Sequence, residues 1–592
     1  MKKFFLGVLS SFLGAWIAIL LLGVAALMVV GGILVKLGAS ESSSGVKKNS
    51  VAVLSLKGTI VETAKNIDFN LQDIVYGGGM EKTQRLDLLV EGIKEAADDD
   101  KIDALYIKCE AANASPATLD VLRKSLKEFK KSKKPIYAYA DYMTEGDYYV
   151  ASVADSIFIN PQGALQLSGV SRSSLYLGSL FRKIGVEFQI AKVGAYKSAV
   201  EPFVMDEMSE PARLQLDTLC NSIWSQYVGE IAESRKINPE YIDSLADRCV
   251  MFSKIGSLRK SGLFDAVSYE REMDTRFCNI TGKKKKDDLN FVNVTDLPED
   301  EISISEMKGD HIAVLYATGE ISDGNKDQID CYTLVPVILD LAEDEHVKGL
   351  VLRVNSPGGS VFGSEQIADA LAQFKKTGKP FSVSMGDYAA SGGYWISCDA
   401  DRIFANPMTV TGSIGIFGVI PNLSGLMENV GVSLQGYSTN PNGDVAIPLR
   451  PLNDVQMAAF TESVRTGYDE FVARVAKGRK IPEKRVREIA EGRVYDGKLA
   501  LSLRLVDELG NLDSAIEWTA KKAGLKKDEY SIYPKVEFSF MDMLAQSESN
   551  PLSGCLRNAL GTSADPRMIL AVRRILTASR CQARLPYLNI KL

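Results

Sequence analysis

Two segments far apart in the chain carry the side chains best suited to covalent chemistry. Ser391 stands in Gly386-Asp-Tyr-Ala-Ala-Ser-Gly-Gly-Tyr-Trp395, where a strand over 381–385 runs into a tight turn that opens a helix. Small neighbours leave its hydroxyl approachable, and the amide of Gly392, at the helix start, favours an anion. These are the requirements of a serine nucleophile. Arg353-Val-Asn-Ser-Pro-Gly-Gly-Ser360 ends another strand in a glycine pair that can bring the Gly359 N–H close to a bound carbonyl. With Gly392 it would supply the two donors of an oxyanion hole, each worth about 3–4 kcal/mol of barrier. A serine also needs a base, and the chain has only 2 histidines. His311 precedes a strand and His346 ends a Glu-Asp-Glu run, so both read as structural rather than as part of a triad. Ala191-Lys-Val-Gly-Ala-Tyr-Lys197-Ser-Ala-Val-Glu-Pro202 instead sets Lys197 among small and apolar neighbours. Burial there would disfavour the ammonium and make the lysine a base near neutral pH. Ser391 alone reads equally well as a helix cap, and Lys197 alone as a solvated lysine. Their combination with the glycine pair, in a chain without a usable histidine, points to a Ser/Lys hydrolase.

These residues belong to a chain that contains itself twice. Lys101-Ile-Asp-Ala-Leu-Tyr-Ile-Lys108 lies over His346-Val-Lys-Gly-Leu-Val-Leu-Arg353, and Lys134-Pro-Ile-Tyr over Lys379-Pro-Phe-Ser. Ile157-Phe-Ile-Asn-Pro161 lies over Ile403-Phe-Ala-Asn-Pro407, Arg235-Lys-Ile over Arg479-Lys-Ile, and Leu263-Phe-Asp over Leu505-Val-Asp. All five matches keep their order and a nearly constant offset, as a duplicated unit requires. The copies differ where the chemistry is. Glu145 stands where Ser391 stands, and Cys109-Glu-Ala-Ala-Asn-Ala-Ser115 has no glycine pair. Conversely, the second copy has Asn440-Pro-Asn-Gly443 where the first has its lysine. Complementary losses of this kind are what a single site drawn from both units would leave.

Within each unit, apolar runs such as 51–56, 102–107 and 136–140 alternate with helical spacing such as 119–129, the pattern of βαβ crossovers and a mostly parallel sheet. Long helical stretches follow Pro211 and Asn453. The expected organisation is α/β: a membrane anchor and linker over 1–45, a first unit over 46–295 supplying the lysine, and a second over 296–545 supplying the serine. A tail over 546–592 contains Arg567-Met-Ile-Leu-Ala-Val-Arg-Arg-Ile-Leu576, readable as an amphipathic or a plain packing helix. The run 4–35 is free of charge and bracketed by Lys2, Lys3 and Lys36. A bilayer core needs roughly 20 apolar residues, so the run is long enough to span, and about twice the apolar region of a cleavable signal peptide. Lys2 and Lys3 place the N-terminus in the cytoplasm and the two units on the far side, with Lys36, Lys47 and Lys48 voting against. Cleavage within 39–44 is the lesser alternative.

Composition narrows the field further. With 69 Lys+Arg against 75 Asp+Glu the net charge is −6, which does not supply the basic face of a nucleic-acid binder. The 8 cysteines are scattered, with no Cys-x-x-Cys pair, and read as buried free thiols; neither a zinc site nor any other metal or cofactor is expected. Ser-x-x-Lys at Ser257 and Ser305 with Lys376-Thr-Gly378 mimics a β-lactamase set, but no Ser-Asp-Asn accompanies it.

A tandem repeat behind a membrane anchor, with Tyr196-Lys-Ser-Ala-Val-Glu-Pro-Phe203, Asn355-Ser-Pro-Gly-Gly-Ser360, Ala390-Ser-Gly-Gly-Tyr-Trp395 and Thr411-Gly-Ser-Ile-Gly-Ile-Phe417, resembles the long form of the signal peptide peptidase A, or protease IV, family. The likeness runs from the apolar segment to about residue 540. It implies two ClpP/crotonase-like units, a nucleophile at Ser391, a base at Lys197 and a further serine, Ser413, that helps hold the lysine. It also implies an inner-membrane endopeptidase with its catalytic units on the periplasmic side, acting on signal peptides left in the membrane and assembled as a homotetramer. A non-catalytic membrane scaffold on the same fold is the alternative. An acyl-CoA enzyme is disfavoured, because an outward-facing domain would not meet CoA. Whether Lys197 meets Ser391 within one chain or between chains stays open at this stage.

Overall fold

The structure, a computed structural model, describes residues 46–62, 83–298, 309–326, 328–445, 447–533 and 581–584. The alternating apolar runs of the first unit become β1 (Ser50–Val61), β2 (Thr83–Arg85), β3 (Ile102–Asn113), β4 (Ile136–Met143), β5 (Ser156–Leu165), β6 (Glu187–Val193), β7 (Ala266–Val267) and β8 (Asn290–Asn293). Seven of these form one sheet, in the order β2-β1-β3-β4-β5-β7 with β8 also on β1, and every pairing is parallel.

The second unit repeats the plan. Its strands are β9 (His311–Thr318), β10 (Ile321–Ser322), β11 (Ile329–Asp330), β12 (Val347–Ser356), β13 (Gly358–Ser360), β14 (Phe381–Ala390), β15 (Arg402–Ala405), β16 (Val410–Gly412), β17 (Ile416–Asn422), β18 (Val494–Tyr495), β19 (Glu508–Leu509) and β20 (Tyr530–Tyr533). The sheet order is β18-β16-β14-β12-β9-β20, with β15 between β14 and β19. β9, β12 and β14 occupy the places of β1, β3 and β4, and β20 returns onto β9 as β8 returns onto β1. Leu350, Val351, Leu352 and Val354 are all fully buried, as expected of a parallel strand covered on both faces. Helix Pro116–Phe129 follows β3, and helix Val361–Lys376 follows its equivalent β12 after the short β13. The long helices Glu210–Arg235 and Asp454–Arg479 each end in a left-handed lysine, Lys236 and Lys480.

A third sheet ties the units together. Its order is β11-β10-β13-β21-β17-β6, where β21 is Cys581–Arg584. β6 belongs to the first unit, yet it pairs antiparallel with β17 of the second from Ile416↔Val193 to Asn422↔Glu187. In the second copy the matching stretch, 432–438, is irregular and exposed, which is why no lysine loop is held there. Side chains reinforce the junction. The guanidinium of Arg353 donates to Glu62 at 2.7 and 3.2 Å, to Ser384 Oγ at 2.8 Å and to the Met385 carbonyl at 3.0 Å. Asp387, from β14, accepts the Thr118 amide at 3.1 Å and the Thr118 hydroxyl at 2.8 Å, and so caps helix Pro116–Phe129 of the other unit.

Some expectations fall differently. β14 runs on to Ala390 through an irregularity opposite Val354 and Ser356, so the segment before Ser391 is strand rather than turn. Cys109, Cys220, Cys249, Cys278, Cys331 and Cys398 are free, but Cys249 is exposed, in a left-handed turn after helix Pro239–Asp247. The apolar run 4–35 and the helical pattern of 567–576 lie outside the described residues. Among the described residues no helix is long and apolar enough to cross a membrane.

Replacing Glu62 by Ala would leave the Arg353 charge buried without its partner, at a cost of about 3–5 kcal/mol. A clear drop in the urea midpoint of the full-length protein is expected, and the double substitution of Glu62 and Arg353 by Met should recover most of it.

Candidate active site

β14 delivers Ser391 in a conformation that few side chains tolerate, φ 57° and ψ −116°. Strain of this kind costs about 1–3 kcal/mol and persists only where the surroundings impose it. Here the Ser391 amide donates to the Gly412 carbonyl at 2.8 Å, and its carbonyl accepts the Trp395 amide at 2.8 Å. The side chain makes no capping bond to helix Gly392–Trp395. The helix-cap reading therefore fails, and the hydroxyl is turned elsewhere.

It is turned to the lysine. Lys197 Nζ lies 2.7 Å from Ser391 Oγ, 3.0 Å from Ser413 Oγ and 3.3 Å from the Ser413 carbonyl, all within one chain. Lys197, Ser391 and Ser413 are each 0 % exposed. Burial holds the Lys197 amine well below the usual lysine range. A neutral amine has a lone pair to accept the Ser391 O–H, which is the geometry of nucleophile and base.

The lysine is set by a backbone cradle from the second unit. The amides of Ala195 and Tyr196 donate to the side chain and carbonyl of Glu491, both at 2.9 Å. Gly492 has φ 73°, and a Cβ there would come within 2.7 Å of Lys197 Cβ. The next residue, Arg493, accepts the Ser413 amide on its carbonyl at 2.7 Å. Gln215, on helix Glu210–Arg235, donates to the Tyr196 carbonyl at 2.9 Å and to Ser198 Oγ at 3.1 Å. One tripeptide thus positions both the amine and the serine beside it. None of these supports was found from the sequence. A glycine in the short polar run Glu491-Gly-Arg493 was the only local signal.

Gly359 lies in β13, and Gly392 opens its helix directly after Ser391. A Cβ at Gly359 would meet the Ile321 carbonyl oxygen at 2.0 Å, so no other residue fits that strand. The first unit fills the corresponding places with its own carboxylates. Asp147 accepts the amides of Ala111 at 3.0 Å and Ala112 at 3.3 Å, while Glu145 accepts those of Ser168 at 3.1 Å and Gly169 at 3.2 Å. Both histidines are elsewhere: His311 bonds the Gly309 carbonyl, and His346 lies exposed beside Asp310.

A family model, peptidase family S49, matches residues 128–278 and 373–526, one stretch in each unit. The chain belongs to peptidase family S49. Protease 4 of Salmonella typhi is 32% identical over 564 residues, covering 93% of this chain and 90% of its own. Protease 4 of Haemophilus influenzae is 34% identical over 456 residues, 74% of this chain and 73% of its own. A relative from Enterococcus faecium, named as a signal peptide peptidase SppA, is 37% identical over 212 residues, 36% of this chain and 62% of its own. The S49 chain is a serine peptidase built from two family repeats, and the non-catalytic scaffold is set aside.

Were the buried Lys197 amine to serve as base, its depressed pKa would set the sign of the pH response. Activity should fall about tenfold per pH unit below the depressed lysine pKa and level off well before the range of a solvated lysine is reached. A kcat/KM profile on an unstructured protein substrate measures it. Gly492→Ala should displace Lys197 and lower kcat by about a hundredfold, with KM nearly unchanged.

Proposed function

We propose that this S49 peptidase is a Ser/Lys-dyad endopeptidase that degrades remnant signal peptides and other membrane-associated peptides. The observation that carries the dyad is the 2.7 Å approach of Lys197 Nζ to Ser391 Oγ in a site with no exposed atom from either residue. The uncharged run 4–35 supports a single membrane anchor, with Lys2 and Lys3 cytoplasmic and the two ClpP/crotonase-like units on the extracytoplasmic, periplasmic side of the inner membrane. An anchored catalytic unit is held where apolar peptides remain after export, which suits that substrate class. The family resemblance supports assembly as a homotetramer.

The neutral Lys197 amine accepts the Ser391 proton as Oγ attacks the peptide carbonyl. The N–H groups of Gly359 and Gly392 hold the resulting oxyanion, and Ser413 keeps the amine aimed through its hydroxyl and carbonyl. The ammonium then gives its proton to the leaving amine. A water deprotonated by the same lysine releases the acyl group from Ser391. The chain's own groups supply every proton transfer.

Ser391→Ala and Lys197→Ala should each remove at least 99.9% of turnover on casein or a synthetic signal peptide, while circular dichroism stays that of the parent; effects of about 10³-fold or more are usual for such groups. A fluorophosphonate should label the parent protein at Ser391 and leave Lys197→Ala unlabelled. Full activity in either variant overturns the dyad.

A further inference from the structure

The ladder that joins the two units stops short of the site. Its last pair is Ile416↔Val193, so Gly194-Ala-Tyr-Lys197 continues toward Ser391 without strand support. The amides of Ala195 and Tyr196 bond to the second unit, and both acceptors belong to Glu491. Contacts that share one residue fix a distance but leave the loop free to turn about it. A stack of three side chains supplies a further hold. The Arg493 guanidinium lies 5.1 Å from the centre of the Tyr196 ring and 5.7 Å from that of Tyr495, within cation–π range of both. Tyr196 directly precedes Lys197. The buried Tyr495 donates its hydroxyl to the Ile489 carbonyl at 2.6 Å, closing the loop that holds Glu491 and Gly492 at φ 56° and 73°. Its ring also lies against Gly412, where a Cβ would meet Tyr495 Cδ2 at 2.8 Å. The Gly412 carbonyl accepts the Ser391 amide, and the Arg493 carbonyl accepts that of Ser413. The stack is thus one backbone step from the amine and from both serines.

We infer that the Arg493 guanidinium, stacked on Tyr196 and Tyr495, is a positioning group that sets the lysine of the first unit against the two serines of the second. It touches no reacting atom. On the lysine side it acts through Tyr196, and on the serine side through Tyr495 and Gly412. A planar, delocalised cation suits this task, because it lies along aromatic faces as a compact ammonium does not. The inference rests on the dyad reading and deepens it, by naming what holds two units in catalytic register beyond the end of their shared ladder. Loss of the stack misplaces the base without altering what grips the peptide, so kcat carries the effect.

Steady-state kinetics of the full-length protein on quenched-fluorescent casein test this. Arg493→Gln should lower kcat about thirtyfold with KM within about twofold of the parent, the kind of loss that a shift of about 1 Å in a catalytic group brings. Tyr196→Leu should lose about as much, whereas Tyr196→Phe, which keeps the ring face, should stay within about threefold of the parent. The double variant Tyr196→Leu, Arg493→Gln should be no slower than either single change, since both remove one contact. A parent-like kcat in Arg493→Gln overturns the inference. So does a Tyr196→Phe as slow as Tyr196→Leu, or single losses that multiply in the double variant. If Arg493→Gln does not fold, the two Tyr196 variants decide the matter, because that side chain is only half-buried. Lys197→Ala tests the dyad separately: full activity there sinks the dyad, while a parent-like Arg493→Gln beside an inactive Lys197→Ala sinks the stack alone.

Discussion

A lysine amine with no carboxylate partner among the described residues, enclosed with two serine hydroxyls, sets the terms for the rest of this structure. Burying an ammonium there would be far more costly than burying an amine, so the protein keeps Lys197 neutral and supplies hydroxyl and carbonyl partners instead. The folded-state pKa lies below the unfolded value, so the unfolded chain binds the proton more readily. The site therefore weakens the fold at neutral pH, and this cost fades as pH rises toward the ordinary lysine range. The two sheets, the strained serine and the Glu491–Arg493 tripeptide can all be understood as means of holding that arrangement against its own tendency to solvate.

Duplication makes the arrangement possible. Each unit has a sheet, covering helices and a long helix of its own, so neither depends on the site for its core. The first copy lacks the glycine pair and has Glu145 in place of Ser391, and there the carboxylates of Asp147 and Glu145 accept the local amides. The other could lose its lysine loop and leave 432–438 in solvent. What remains has to be brought into register to within tenths of an ångström. The Glu62–Arg353 pair and the cap that Asp387 places on helix Pro116–Phe129 both act through β12 and β14, the strands that lead to Gly359 and Ser391.

Much of this was legible in the chain itself. Short, nearly continuous apolar runs marked β1, β3 and β4, because a parallel strand covered on both faces leaves that local trace. The two copies, laid over each other, separated Ser391, Gly359 and Lys197 from positions that only maintain the fold. Tertiary structure decided the rest. The left-handed conformation of Ser391, the antiparallel seating of β6 on β17, the close approach of Gly492 to Lys197 and the insertion of 581–584 between β13 and β17 all join residues that are distant in sequence. Periodicity and composition record how a segment meets solvent and core. They carry no record of which distant backbone comes within hydrogen-bonding distance, because that is settled only when whole elements pack.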